Sequence, residues 1–117
     1  MRVSSSKVND ILKNQISKTL AQVVADIKTP QESHQFLQDF FTQAEFESFS
    51  KRLAVAYWLK KGRSYTNIKN NLKVSSATIA DVANMMKKKG FELAIKKLEA
   101  EEWANQWADK IKKFVGK

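Results

Sequence analysis

Residues able to do covalent chemistry are scarce in this chain and badly spaced for it. His34 is the single histidine, and there is no cysteine. A zinc site needs clustered His or Cys ligands, and a nucleophilic Ser or Thr needs a general base beside it. Neither pattern occurs. No glycine-rich phosphate loop is present, with three glycines in 117 residues. The acid pair Glu101-Glu102 sits among lysines on a helical stretch and reads as a solvated face. The chain is therefore not expected to be an enzyme, and no cofactor or metal is expected.

The residues that do suggest chemistry are small or cationic. Between Ser64 and Gly90 the chain reads as a short helix, a tight turn and a second helix. Ser64 is an N-cap, and Ile68 and Leu72 stand four apart on one face. The turn is expected through Asn71-Leu72-Lys73-Val74. Ser75 would cap the second helix, and Gly90 would close it in a left-handed C′ conformation. Ile79, Val82 and Met86 fall at helical spacing and face inward. Ser76, Ala77, Ala80, Asn84 and Lys87 then share the outer face. Small side chains let a helix lie deep in a DNA major groove, and a basic end meets phosphate. A plain helical hairpin with a solvated outer face has the same spacing.

Charge separates these readings. Residues 51–90 carry ten Lys or Arg against one acid, Asp81. The formal net charge of the whole chain is +9, so nearly all the excess lies on and just before the hairpin. A surface charged only for solubility would spread it evenly. A concentrated positive field draws polyanions and speeds their encounter.

The remaining chain must position that hairpin. With one proline and no alternating β-branched runs, it reads as all-α. Ser6 would cap a first helix running to about Ile27, with Val8, Ile11, Leu12, Ile16, Leu20, Val23, Val24 and Ile27 as an apolar stripe. A helix of about 22 residues, roughly 33 Å, is long for a small domain. Its stripe calls for a partner surface, and a second copy of the chain supplies one most simply; packing within the monomer is the other option. Thr29-Pro30-Gln31-Glu32 is a capping box that opens a second helix to about Phe40, with Phe36, Leu37 and Phe40 packed. Thr42-Gln43-Ala44-Glu45 opens a third to Lys61, with Gly62 as its stop. That helix, bearing Phe46, Phe49, Leu53, Val55, Tyr57, Trp58 and Leu59, is expected to be the core helix.

After Gly90, Phe91 to Leu98 is amphipathic and can run on as one helix to about Phe114. Trp103, Trp107, Ile111 and Phe114 recur on one side of it, suited to a core, a subunit interface or a partner protein. The expected organisation is an N-terminal helical arm over 1–27, a helical core over 28–98 with the hairpin at 64–90, and a C-terminal extension over 99–117. The start lacks the apolar run of a signal peptide, and no stretch has the roughly 20 apolar residues a membrane helix needs. A cytoplasmic protein with no membrane partner is expected.

Residues 41–90 resemble the Trp repressor family. The likeness rests on Phe41-Thr42, the long third helix with Arg52, the stop at Gly62, Ile68-Lys69-Asn70-Asn71-Leu72, Ala77-Thr78-Ile79 and the order of helices. It implies a helix-turn-helix fold in an intertwined homodimer that binds double-stranded DNA as a transcriptional regulator, by expectation a repressor. By the family pattern Thr66 and Lys69 lie near phosphate or the groove edge. Ser75, Ser76, Ala77, Thr78 and Ala80 face base edges, and Lys87 faces the backbone. Thr42, Arg52 and Thr78 match residues of the family's tryptophan pocket. Asp81, however, stands where the pattern has an arginine for the ligand carboxylate, and Val82 where it has glycine. Repulsion and lost space argue against L-tryptophan as corepressor. Arg52 would then be free to pair with Asp81, and the effector, if there is one, is left open. The other reading is an all-α protein-interaction module that binds through Trp103 and Trp107, its basic face serving solubility alone.

Overall fold

The computed structural model describes residues 7–116, with side chains to Glu102 and at Asn105. Six helices follow one another: α1 (Asp10–Asp26), α2 (Pro30–Phe40), α3 (Gln43–Lys60), α4 (Tyr65–Leu72), α5 (Ser76–Met85) and α6 (Lys89–Gly116). No strand occurs among the described residues. The chain divides into two units, Met1–Phe46 and Glu47–Lys117, with the boundary inside α3.

In the first unit the helix starts are set by side-chain oxygens. Asn9 caps α1, its Oδ1 accepting from the Leu12 N–H at 2.9 Å. The expected cap, Ser6, lies outside the described residues, and α1 has 17 residues rather than about 22. Asn9 is as good an N-cap as serine, so the later of two competent residues starts the helix. Thr29 caps α2, accepting from Glu32 N–H at 3.1 Å, with Pro30 at the first helical position. Thr42 and Glu45 form the full reciprocal box. The Thr42 hydroxyl accepts from Glu45 N–H at 3.1 Å, and Glu45 Oε1 accepts from Thr42 N–H at 2.8 Å. Phe36 stacks on Phe40 at 5.0 Å, and His34 meets Phe46 at 5.7 Å. Phe40 was expected to be packed and is exposed. The stripe is exposed from Val8 to Val24, with Ile11 75% and Ile16 53% accessible, and only Ile27, at the C-cap, is half-buried.

The second unit holds the buried core: Val55, Ala56, Ile68, Ile79, Val82 and Ile95, from α3, α4, α5 and α6. Trp58, Leu72, Met86 and Phe91 pack around them. Thus α3 does supply the core, but through Val55 and Ala56. Phe49 and Leu53, expected inside, are exposed. They lie with Arg52, Gly90, Phe91 and Ala94 along an open groove of about 280 Å³. Apolar residues encircle α3 instead of forming one stripe, so one set of neighbours cannot cover them all. Gly62 ends α3 with φ 84, a conformation that glycine takes without steric cost.

Candidate nucleic-acid interface

The hairpin forms where the caps allow it. Ser64 Oγ accepts from Asn67 N–H at 3.1 Å and starts α4. Asn71 and Leu72 stay helical, so the turn is tighter than expected. It begins at Lys73, which has φ 56 and ψ 51, and the Lys73 N–H donates to the Lys69 carbonyl at 3.0 Å. Ser75 then caps α5. Its Oγ accepts from Thr78 N–H at 3.1 Å and lies 3.0 Å from Thr78 Oγ1. Two residues, Lys73 and Val74, therefore separate the end of one helix from the cap of the next.

The two faces of α5 are distinct. Ile79 is 0% and Val82 2% accessible, which fixes the helix rotation. Ser76, Ala77, Thr78, Ala80 and Asn84 are exposed. Thr66 and Lys69 on α4 are exposed as well, as is Ser75. All eight residues expected at DNA are thus solvent-facing, seven of them on the hairpin proper. The Ser75 and Thr78 hydroxyls are engaged with one another, which restricts what else they can contact.

Lys87 is the exception in placement. It was expected on the outer face of α5, closed by Gly90, but α5 stops at Met85. Lys87 sits in the turn before α6, and Gly90 lies in the first turn of α6 with no left-handed φ. The core explains the early stop. Phe91 and Ile95 must return to it, so the chain changes direction first. The Lys88 carbonyl accepts from Phe91 N–H and Glu92 N–H, both at 3.1 Å, and starts the new helix. Lys87, Lys88 and Lys89 are exposed in succession there.

The residues matched to a tryptophan pocket behave differently. Val82 is part of the core and fills its own space. Asp81 is exposed. The Arg52–Asp81 ion pair does not form; the Arg52 guanidinium instead lies 5.3 Å from the Phe49 ring centre. That ring stands three residues before Arg52 on the same helix, whereas Asp81 is carried by α5. Thr42 belongs to the first unit, where its hydroxyl caps α3. Trp103, Trp107, Ile111 and Phe114 lie outside the described side chains, although the backbone there continues α6 as one helix.

Sequence reasoning passed over Arg63. Its guanidinium stacks over the Trp58 ring, 4.0 Å from the centre, and its Nη1 donates to Asn67 Oδ1 at 3.3 Å. The available signal was an arginine directly after the helix-stopping Gly62, five residues beyond a tryptophan.

No helix among the described residues is long and apolar enough to cross a membrane. No group of His, Cys, Asp or Glu among them is placed to hold a metal ion.

An all-α domain with a capped two-helix hairpin and a small exposed face on its second helix is the architecture of a helix-turn-helix regulator. The chain belongs to the Trp repressor protein family, whose model matches residues 15–101. That family is one of regulatory DNA-binding proteins and not of enzymes. The chain is 27% identical over 95 residues to the uncharacterized protein YerC of Bacillus subtilis (strain 168), covering 80% of this chain and 91% of that protein. No solved structure matches it.

Proposed function

We propose that this protein is a cytoplasmic transcription regulator, a repressor, that binds duplex DNA as a homodimer and does so without L-tryptophan. The observation that carries the reading is the orientation of α5. Ile79 and Val82 anchor one side in the core, which leaves Ser76, Ala77 and Ala80 outward beside exposed lysines. A helix so held offers little steric bulk to base edges, while Lys69 and Lys87 supply charge for phosphates. Thr66, Ser75 and Thr78 complete the expected contact set. Two such hairpins in a symmetric dimer would enter successive major grooves about 34 Å apart.

A dimer is supported by uncovered apolar surface in each unit: the α1 stripe in one, and the Phe49, Leu53 and Phe91 groove in the other. Monomeric proteins seldom leave a stripe of that length in water. Against tryptophan stand the carboxylate at Asp81 and the core position of Val82. The effector, where one acts, has another chemistry.

The test is a gel shift with fragmented genomic DNA over a salt series, followed by sequencing of retained fragments. Steep weakening with salt and enrichment of a two-fold-related sequence are expected. Retention of no DNA at low salt would sink the proposal. A reporter driven from a promoter overlapping the enriched site should fall when the protein is expressed; a rise would make it an activator.

A further inference from the structure

We infer that Arg63 is a preorganised DNA-backbone contact, held in place by Trp58 before DNA arrives. The inference rests on the DNA-binding reading above and adds a residue that neither the family pattern nor the outer face of α5 brings in.

Three cations crowd the end of α3 and the start of α4: Lys60, Lys61 and Arg63. They are not equivalent. Lys61 already has a carboxylate partner, its Nζ 2.8 Å from Glu102 Oε1. Its ammonium also lies 6.0 Å from the Tyr57 ring centre. Arg63 has no carboxylate partner among the described residues. It is ordered by uncharged neighbours instead: the Trp58 face at 4.0 Å, Asn67 Oδ1 at 3.3 Å, and its own N–H donating to the Trp58 carbonyl at 3.1 Å. Trp58 packs against the buried core, so the platform itself is fixed.

A guanidinium has five N–H donors. One is used on Asn67, and the residue remains exposed, so a rigid fork of donors faces solvent with its full charge. Stacking on an aromatic face leaves the edge of the guanidinium plane free, and that edge matches a phosphate bidentately. A loose surface arginine loses rotamer entropy when it binds; this one has lost it on folding. Its place also suits the role, one residue before the Ser64 cap of α4, the helix that carries Thr66 and Lys69. The occupant is a backbone phosphate and not a base, because Arg63 precedes the hairpin whose second helix is the one presented to base edges.

The experiment measures binding of the intact protein to a mixed-sequence duplex across a salt series, for the wild type, Arg63→Gln and Arg63→Lys, with Lys69→Ala as reference. Thermal melts run alongside report any structural effect. For Arg63→Gln the slope of log K against log salt should drop by about 0.9 per chain, since one phosphate contact is lost. Affinity should fall several-fold, by similar factors on every sequence, with little change in melting temperature. Arg63→Lys should keep most of the slope and still bind more weakly, because a lysine cannot stack as a plane. An unchanged slope in Arg63→Gln, while the wild type binds and Lys69→Ala weakens it, would overturn the role of Arg63 alone. If the wild type binds no DNA, the DNA-binding reading fails and this inference with it.

Discussion

Lys69 and Ala80 are both exposed, and they test different halves of recognition. Lys69 faces phosphate in the proposed complex. Lys69→Ala should weaken binding to all sequences and lower the salt slope by about one per chain. Ala80 faces the bases. Ala80→Glu should abolish preference for the enriched fragment while leaving the melting temperature near wild type, since the position is solvent-facing. An unchanged preference, measured by competition with unrelated duplex, would take α5 out of the groove. Glu45 carries a pH effect of known sign. Its bond from the Thr42 backbone N–H, and then its bond with the Thr42 hydroxyl, hold its carboxyl below the usual glutamate value. A carboxylate lowered in the folded chain stabilises above its unfolded pKa, near 4.3, and that help is lost as pH falls through the folded value. Glu45→Gln should therefore shrink the loss of melting temperature between pH 6 and pH 3. An acid limb as steep as in the wild type would count against the bond.

At the scale of elements, caps and core contacts decide where α5 sits. Ser75→Ala removes the oxygen that accepts from Thr78 N–H and should cost about 1 kcal/mol in urea unfolding. Ile79→Ala empties a fully buried site and should cost roughly 2–5 kcal/mol. These elements were legible in the residues because their signals are local. Thr29, Thr42, Ser64 and Ser75 each cap as expected, and the α5 period put Ile79 and Val82 inside. Non-local demands were not legible. The return of Phe91 and Ile95 to the core moved the end of α5 from Gly90 to Met85 and carried Lys87 into a turn. The first helix began at Asn9, since two residues competent to cap stand three apart and local preference does not choose between them. The exposure of Phe49 and Leu53 is not legible either, because hydrophobicity alone does not say what will cover it. The Arg63 stack on Trp58 joins two residues across a helix end, where neither helical nor strand period applies.

For the whole molecule, the exposed apolar surface is the property to account for. A chain with Ile11, Ile16 and Val24 in water should associate, and the homodimer is the proposed outcome. Light scattering on a sizing column should give twice the mass of one 13.4 kDa chain. Ile16→Glu, in the middle of the stripe, should shift the mass toward the monomer and weaken DNA binding more than tenfold, because two linked half-site contacts become one. A monomeric wild type with full affinity for its site would remove the symmetric assembly from the mechanism.

Lys73 holds a backbone conformation that suits glycine far better, with φ 56. A side chain there costs on the order of 1 kcal/mol. Replacing it with glycine should raise the melting temperature by a few degrees and at the same time remove a cation from the bend. A sequence that retains lysine at this bend therefore gives up thermal robustness where it gains attraction for a polyanion, and selection for heat resistance alone should drive the position to glycine.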